Sequence, residues 1–375
     1  MSRIAQTLIG RVGNVIRMAN LLARLLVLSL AVTATGFAQD SVSWHDPSKH
    51  TVQFVTVEKG IRLEVLDWGG TGRAVVLLAG SGNTAHIFDG FAEKLSGACC
   101  HVLGITRRGF GSSTHPDSGY DQQRLADDVL QVLDALKIVA PVLAGHSMSG
   151  EELTSLGDEH SDRLAGLVYL DATSDPTDYP GNSEAYMALF NKLPSAMRAN
   201  GSEPDASDLR SFQAFHDFKV RQNGFEYPEA QLRASFSQNA DGSVGRYNTP
   251  DKVHNAIGKG ALPRDYSRIR VPILALFGTL SVNYRYQAKD AKERTAIEEF
   301  DAATEVYGDR NKKNLLKAKG GVRIVDLPQA DHYLFLSNEA DVLREMRTFL
   351  ATLPSEHVRP SSKCTLARLG RKAPR

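Results

Sequence analysis

Apolar residues in this chain fall into short runs divided by polar, glycine-rich turns, and the spacing of the runs changes along the sequence. Thr51–Val57 and Ile61–Trp68 read as the two strands of a hairpin, with Glu58-Lys59-Gly60 at the turn. Ala74–Ala79 is an unbroken apolar run, the pattern of a strand buried on both faces, and Gly80–Thr84 follows it as a loop of small residues. His101–Ile105 reads as another short strand. Leu125, Val129, Val132, Leu133 and Leu136 repeat at helical spacing. Pro141–Ala144 predicts a strand that runs into Gly145-His146-Ser147, Leu153 and Leu156 belong to the helix beyond it, and Gly166–Leu170 is a further buried strand that ends at Asp171.

The pattern then changes. Residues 173–267 are rich in Pro, Gly, Asn, Asp and Ser and carry aromatic residues at 212, 215, 218, 225, 227 and 236, which predicts a mostly helical insertion. The alternation resumes with the strand Pro272–Phe277, a polar helical stretch over 285–318, the strand Val322–Leu327 and the helix Glu339–Leu350. Strands alternating with helices after an antiparallel start predict an α/β fold, with a mixed, mainly parallel sheet flanked by helices. The expected organisation is a leader over 1–38, core over 39–172, insertion over 173–267, core again over 268–354 and a basic extension over 355–375.

Composition narrows the class. The 375 residues are 42% hydrophobic and 23% charged, which excludes a collagen-like, wholly disordered or polytopic membrane chain. The formal net charge of +1 conceals basic ends around an acidic body: residues 39–354 hold 34 basic and 42 acidic side chains, a net −8. An acidic body argues against a nucleic-acid partner. At the N-terminus, arginines precede the apolar run Leu25–Phe37, which is short for a membrane span, and Gly36-Phe37-Ala38 places small residues for a cut after Ala38. This is the pattern of a secretory signal peptide. It predicts export to the periplasm or the exterior and no stable membrane span after cleavage; a start at Met18 is the alternative to Met1. Of three cysteines, Cys99 and Cys100 are adjacent and poorly placed to pair with each other, and Cys364 lies in the tail, so neither a disulfide framework nor a metal site is expected.

The chemistry centres on Gly145-His146-Ser147-Met148-Ser149-Gly150, set between a predicted strand and a predicted helix. A nucleophilic serine on so sharp a turn needs small residues two places before and after it, and Gly145 and Ser149 are small. The Ser147 hydroxyl needs a base, and His332, in Ala330-Asp331-His332-Tyr333 just past the last strand, is the histidine placed to supply one. Two backbone N–H groups could receive a developing oxyanion: that of Met148, at a helix start, and that of Ser81, in the glycine-flanked loop after Ala79. Glu151 and Glu152 read as acids favouring the positive end of the next helix. His86 and Phe88 stay open between lining the entrance and packing, and His146 reads as packed rather than pocket-lining. Phe212, Phe215 and Phe218 read as one helical face packing the insertion.

Taken together, Leu77-Leu78-Ala79-Gly80-Ser81-Gly82, Arg107-Arg108-Gly109-Phe110-Gly111, the Ser147 turn and Ala330-Asp331-His332-Tyr333 resemble the α/β-hydrolase superfamily over about residues 50–352. The resemblance is to its serine-nucleophile, cap-containing bacterial members. It implies a sheet of about eight strands, a cap formed by 173–267 over the C-terminal edge of the strands, and a structural turn at Arg107–Gly111. It also implies a carboxylate partner for His332. The family most often places that acid after the strand Pro272–Phe277, where Gly278–Asn283 contains none; a subset places it after the preceding strand, at Asp171. Asp171 is favoured, with Asp175 and Asp290 as alternatives.

The implied function is a serine hydrolase that cleaves a small carboxylic ester, or a lactone or amide, through an acyl-enzyme on Ser147, with no metal or organic cofactor. Haloalkane dehalogenases and epoxide hydrolases of this fold use an aspartate where this chain has Ser147, which argues against both. The alternatives are a non-catalytic ligand-binding homologue and an acyltransferase or perhydrolase using the same residues. The oligomeric state is not legible in the sequence.

Overall fold

The chain is seen in a computed structural model that describes residues 44–97, 100–175, 177, 183–198, 203–278 and 287–354. The leader, Cys99, the loop after Gly278 as far as residue 286, and the basic extension with Cys364 lie outside the described residues. An N-terminal unit ends at Pro47, and a second unit starts at Ser48 and carries the sheet.

Strands β1 (Thr51–Glu58) and β2 (Ile61–Asp67) form the antiparallel hairpin; β3 (Arg73–Leu78) follows, then helix α1 (Asp89–Ser96) and β4 (Cys100–Ile105). Next come α2 (Gln122–Ala135), β5 (Val142–His146), α3 (Gly150–Glu159) and β6 (Gly166–Leu170). Between β6 and β9 (Ile273–Gly278) lie α4 (Glu184–Lys192), α5 (Ser195–Arg198), α6 (Phe212–Asn223), α7 (Glu229–Ser235), a small hairpin of β7 (Phe236–Gln238) and β8 (Val244–Tyr247), and α8 (Asp251–Lys259). The chain continues through α9 (Ala291–Leu315), β10 (Val322–Leu327), α10 (Leu334–Ser337) and α11 (Glu339–Thr352). The eight-stranded sheet has the order β1-β2-β4-β3-β5-β6-β9-β10. β2 is antiparallel to both of its neighbours, and the pairs from β4 through β10 are parallel. This is the α/β-hydrolase architecture that the resemblance implies.

Side chains alternate across the sheet as the period of two requires. Val75 and Leu77 of β3, Val142 and Ala144 of β5, and Val168 and Leu170 of β6 share one core with α1 (Phe91, Leu95) and α11 (Val342, Met346, Phe349). Val76 and Leu78, Leu143, and Leu167 and Tyr169 share the other with α2 (Val129, Val132, Leu133) and α3 (Leu153, Leu156). Both faces of the central strands are therefore covered, which is why β5 and β6 are buried along their whole length. Asp121 caps α2 by accepting from the Arg124 N–H at 3.0 Å, and Ser211 caps α6 by accepting from the Ala214 N–H at 3.1 Å.

The segment between β6 and β9 is less uniformly helical than its composition suggests. Its hairpin has strands of three and four residues, too short to show a period in the sequence. Phe212, Phe215 and Phe218 are all buried and pack into the first core. Among the described residues, no helix is long and apolar enough to cross a membrane.

The strand order reverses between β3 and β5, opening a crevice at their carboxyl ends. Leu78 is in register with Gly145, so the loop after β3 lies beside the turn after β5.

Candidate active site

Ser147 follows the last residue of β5 with φ of +54°, a left-handed conformation that a serine adopts only under constraint. The constraint is visible on both sides. A Cβ on residue 145 would lie 2.6 Å from Ser149 Oγ, and one on residue 150 would lie 1.8 Å from the Ala172 carbonyl oxygen. Both positions therefore need glycine, which brings α3 close against the sheet. Ser149 stands where many such turns have another glycine. Its hydroxyl reaches the Leu78 and His146 carbonyls, each at 2.9 Å, tying the turn to β3.

His332 sits in the loop after β10. Its Nδ1–H donates to Asp171 Oδ2 at 2.7 Å. Asp171 follows β6 immediately and also holds a left-handed φ, +49°. His332 keeps 48% of its side-chain surface and Asp171 25%, so the pair faces solvent on one side. Burial pulls the His332 imidazole down, but the hydrogen bond and charge of Asp171, with Asp331 behind them, outweigh it and leave the pKa above the usual 6.5. Because Nδ1 serves Asp171, Nε2 is left with its lone pair as the basic atom.

His146, the residue before Ser147, anchors this loop. Its Nε2–H donates to the His332 carbonyl at 3.0 Å, and the two rings lie 4.6 Å apart between centroids. Burial first, then the neighbouring His332 charge, push the His146 pKa well below 6.5, so it stays neutral beside the candidate base. His146 is packed rather than pocket-lining: Tyr333 and Phe335 complete its surroundings.

The loop after β3 runs alongside. A Cβ on Gly80 would lie 2.8 Å from His146 Nδ1 and 3.0 Å from Ser147 Cβ, so residue 80 must be glycine for the loop to approach the serine. The Asn83 N–H donates to the Gly80 carbonyl at 3.3 Å, closing a turn in which Gly82 takes φ of +78°. The Ser81 N–H has no acceptor among the described residues. The Met148 N–H lies in the first turn after β5, where helical N–H groups lack intrahelical partners.

The other two carboxylates are engaged elsewhere. Asp175 accepts from the Arg264 N–H at 2.9 Å and from Thr177. Asp290 caps α9 through the Glu293 N–H at 2.8 Å. Of the three, the structure brings Asp171 to His332.

Several side chains near the site have roles that the sequence does not announce. Arg107 donates to Glu152 at 2.6 Å and to the Ala79 carbonyl at 3.1 Å, a buried pair that pins the end of β3 to α3. Glu152 is thus an ion-pair partner as well as a residue of the helix start. Glu151 is also buried; desolvation, with repulsion from Glu152, pushes its carboxyl up to about 7. Arg108 pairs with Asp128 at 2.6 Å, which makes the Arg107–Gly111 turn a structural one. Phe88 is fully buried and packs in the core, and His86 is half-buried with its Nδ1 3.2 Å from Asp89 Oδ2. Cys100 is a buried β4 residue whose thiol burial pushes up to about 11, far from reactive at neutral pH.

A parallel sheet that sets a strained serine, a histidine paired with a carboxylate and glycine-rich backbone at one crevice defines the α/β-hydrolase class. The match of residues 75–345 to the alpha/beta hydrolase family model settles the assignment: the chain belongs to that family. Its relatives include Epoxide hydrolase A of Mycobacterium tuberculosis, 29% identical over 136 residues, 36% of this chain and 42% of that one. They also include a non-heme chloroperoxidase of Streptomyces lividans, 24% identical over 60% of this chain and 80% of that one. The match spans less than half the length of several curated relatives. In fold the chain is similar to the crystal structure of E-2-(acetamidomethylene)succinate hydrolase, with a TM-score of 0.58 and 19% identity over 80% of this chain and 99% of that one.

Proposed function

We propose that this protein is a serine hydrolase that cleaves small carboxylic esters, with Ser147, His332 and Asp171 as its triad. The observation that carries the reading is the 2.7 Å bond from His332 Nδ1 to Asp171 beside the strained Ser147 turn. The steps follow from that arrangement. Nε2 of His332 takes the Ser147 proton as Oγ attacks the ester carbonyl carbon. The carbonyl oxygen gains negative charge, which the N–H groups of Ser81 and Met148 receive. Collapse breaks the bond to the alkoxide, which leaves with the proton held by His332. Water then attacks the acyl-enzyme, His332 takes its proton, and the acid departs as Ser147 Oγ recovers a proton from His332. Asp171 keeps the imidazole in the tautomer that presents Nε2 and stabilises its charged form.

Epoxide opening, the reaction in the name of one relative, needs a carboxylate nucleophile at the turn, and Ser147 is not one. A lactone or amide would use the same atoms. We also place the protein outside the cytoplasm, on the signal-like pattern before residue 39, and give it a small-molecule substrate and no nucleic-acid partner.

Hydrolysis of p-nitrophenyl acetate and butyrate tests the reading, with Ser147→Ala beside the wild type and labelling by a fluorophosphonate probe in parallel. Turnover and labelling that both vanish in Ser147→Ala support it. A folded wild type that neither turns over the esters nor takes the label refutes it and leaves a ligand-binding homologue in its place.

A further inference from the structure

The loop that carries the Ser81 N–H does not stand alone. Each of its residues from Ser81 to Thr84 bonds the segment inserted between β6 and β9. Ser81 Oγ meets His254 Nδ1 of α8 at 3.2 Å. The Tyr247 hydroxyl of β8 donates to the Gly82 carbonyl at 3.2 Å. Asn83 Nδ2 donates to the Tyr227 hydroxyl at 3.0 Å. The Thr84 N–H and hydroxyl both donate to Gln231 Oε1 of α7, at 3.0 and 2.8 Å.

These partners are themselves braced. Gln231 is 1% exposed, and its Nε2 donates to Ser235. The Tyr247 and His254 rings stack at 6.0 Å, and His254 meets the Phe110 ring edge-on. Asn83 also accepts from the hydroxyl of Tyr333, the neighbour of His332, at 3.0 Å. A loop with two glycines has little rigidity of its own. In this protein the Gly82 carbonyl and the Thr84 N–H are held by residues 165 and 147 positions away in sequence, and the Ser81 and Asn83 side chains add two more such bonds.

We propose that the inserted segment positions the oxyanion-binding loop, with Tyr247 and Gln231 as positioning residues that act through the backbone at Ser81. The inference rests on the serine-hydrolase reading and assigns the insertion a part in the rate of the reaction, beyond covering the site. Stabilisation by preorganised donors depends on their position where charge develops, so a displaced loop weakens binding of the transition state more than binding of the ester. Loss of one oxyanion donor lowers kcat by about 10²- to 10³-fold in a well-studied protease, which sets the upper bound for a donor that is only displaced.

The test uses the full-length chain with Tyr247→Phe and Gln231→Leu. Four quantities are read: kcat, KM, melting temperature and the affinity of a trifluoromethyl ketone, which forms a tetrahedral oxyanion on serine. Tyr247→Phe should lower kcat by about tenfold and Gln231→Leu by up to about a hundredfold, with KM within about twofold. The ketone affinity should fall in parallel. Unchanged kcat and ketone affinity in a folded Tyr247→Phe variant overturn the inference while leaving the hydrolase reading intact. So does a loss confined to KM. A wild type that neither turns over ester nor takes the fluorophosphonate overturns the hydrolase reading, and this inference with it.

Discussion

Replacing Asp171 by Asn removes the charge behind His332 and little else. Asn is close in shape and tolerates the left-handed conformation at this position, φ +49°, better than Ala or a β-branched residue would. Opposite charges about 4 Å apart attract by about 1 kcal/mol in bulk water and about 4 kcal/mol at the effective dielectric near a protein surface. His332 is half exposed, so the energy lost when the imidazolium forms in the transition state falls between these limits. That corresponds to a fall in kcat/KM of about 5- to 1,000-fold, with the larger loss if the side-chain amide also turns the imidazole to its other tautomer. A second signature follows from the sign of the shift. Asp171 holds the His332 pKa above 6.5, and the base must be neutral to act, so wild-type activity should disappear as pH falls through that raised value. In Asp171→Asn the acid limb should move to lower pH. Steady-state hydrolysis of p-nitrophenyl acetate from pH 5 to 9, with melting temperatures as a control for folding, measures both effects. A variant with unchanged kcat/KM and an unmoved limb would refute the assignment of Asp171 and return the question to Asp175 and Asp290.

Glu151, with its pKa raised from 4.5 to about 7, retains a proton in the folded protein that the unfolded chain releases over that interval, so its contribution to stability is lost as pH rises from about 4.5 to about 7. Denaturant melts of Glu151→Gln should match wild type near pH 4 and exceed it by up to about 3 kcal/mol at pH 8; a constant difference across pH would count against the raised value. Glu152→Gln leaves Arg107 buried without its counter-charge and should destabilise by about 3–5 kcal/mol in the same melts, whereas a change below about 1 kcal/mol would mean the pair is solvated. Gly150→Ala drives a methyl group into the Ala172 carbonyl and should fail to give soluble, folded protein; a well-folded variant would show that the turn can relax.

Much of this was legible in the sequence, and the parts that were not share a cause. Buried parallel strands leave unbroken apolar runs, so β3, β5, β6 and β9 could be placed to within a residue or two, and the fold class follows from them. The turn at Ser147 leaves a local mark because sterics dictate its small neighbours. The partner of His332 leaves a weaker mark: its place directly after β6 favours Asp171 over Asp175 and Asp290, but the contact itself joins residues 161 positions apart. The same limit hid the Arg107–Glu152 pair and every bond between the insertion and Ser81–Thr84, since each joins segments whose meeting depends on the finished sheet. The β7–β8 hairpin escaped for another reason: strands of three and four residues are shorter than the window over which a period of two can be recognised.

The position of the three proposed triad residues on the sheet bears on how the protein would fail under heat. Ser147 and Asp171 extend from β5 and β6, hydrogen-bonded neighbours buried along their whole length. His332 follows β10, the edge strand, which among the described residues pairs with β9 alone and is buried only at Leu327. Edge elements open more readily than buried ones, and they do so without global unfolding. The proposed base would therefore be lost ahead of the proposed nucleophile and acid only if the His146 bond to the His332 carbonyl and the packing of the buried Leu334 and Phe335 also gave way. Loss of activity on heating ahead of the melting of the domain would mean that these contacts, rather than the sheet, are the weak point.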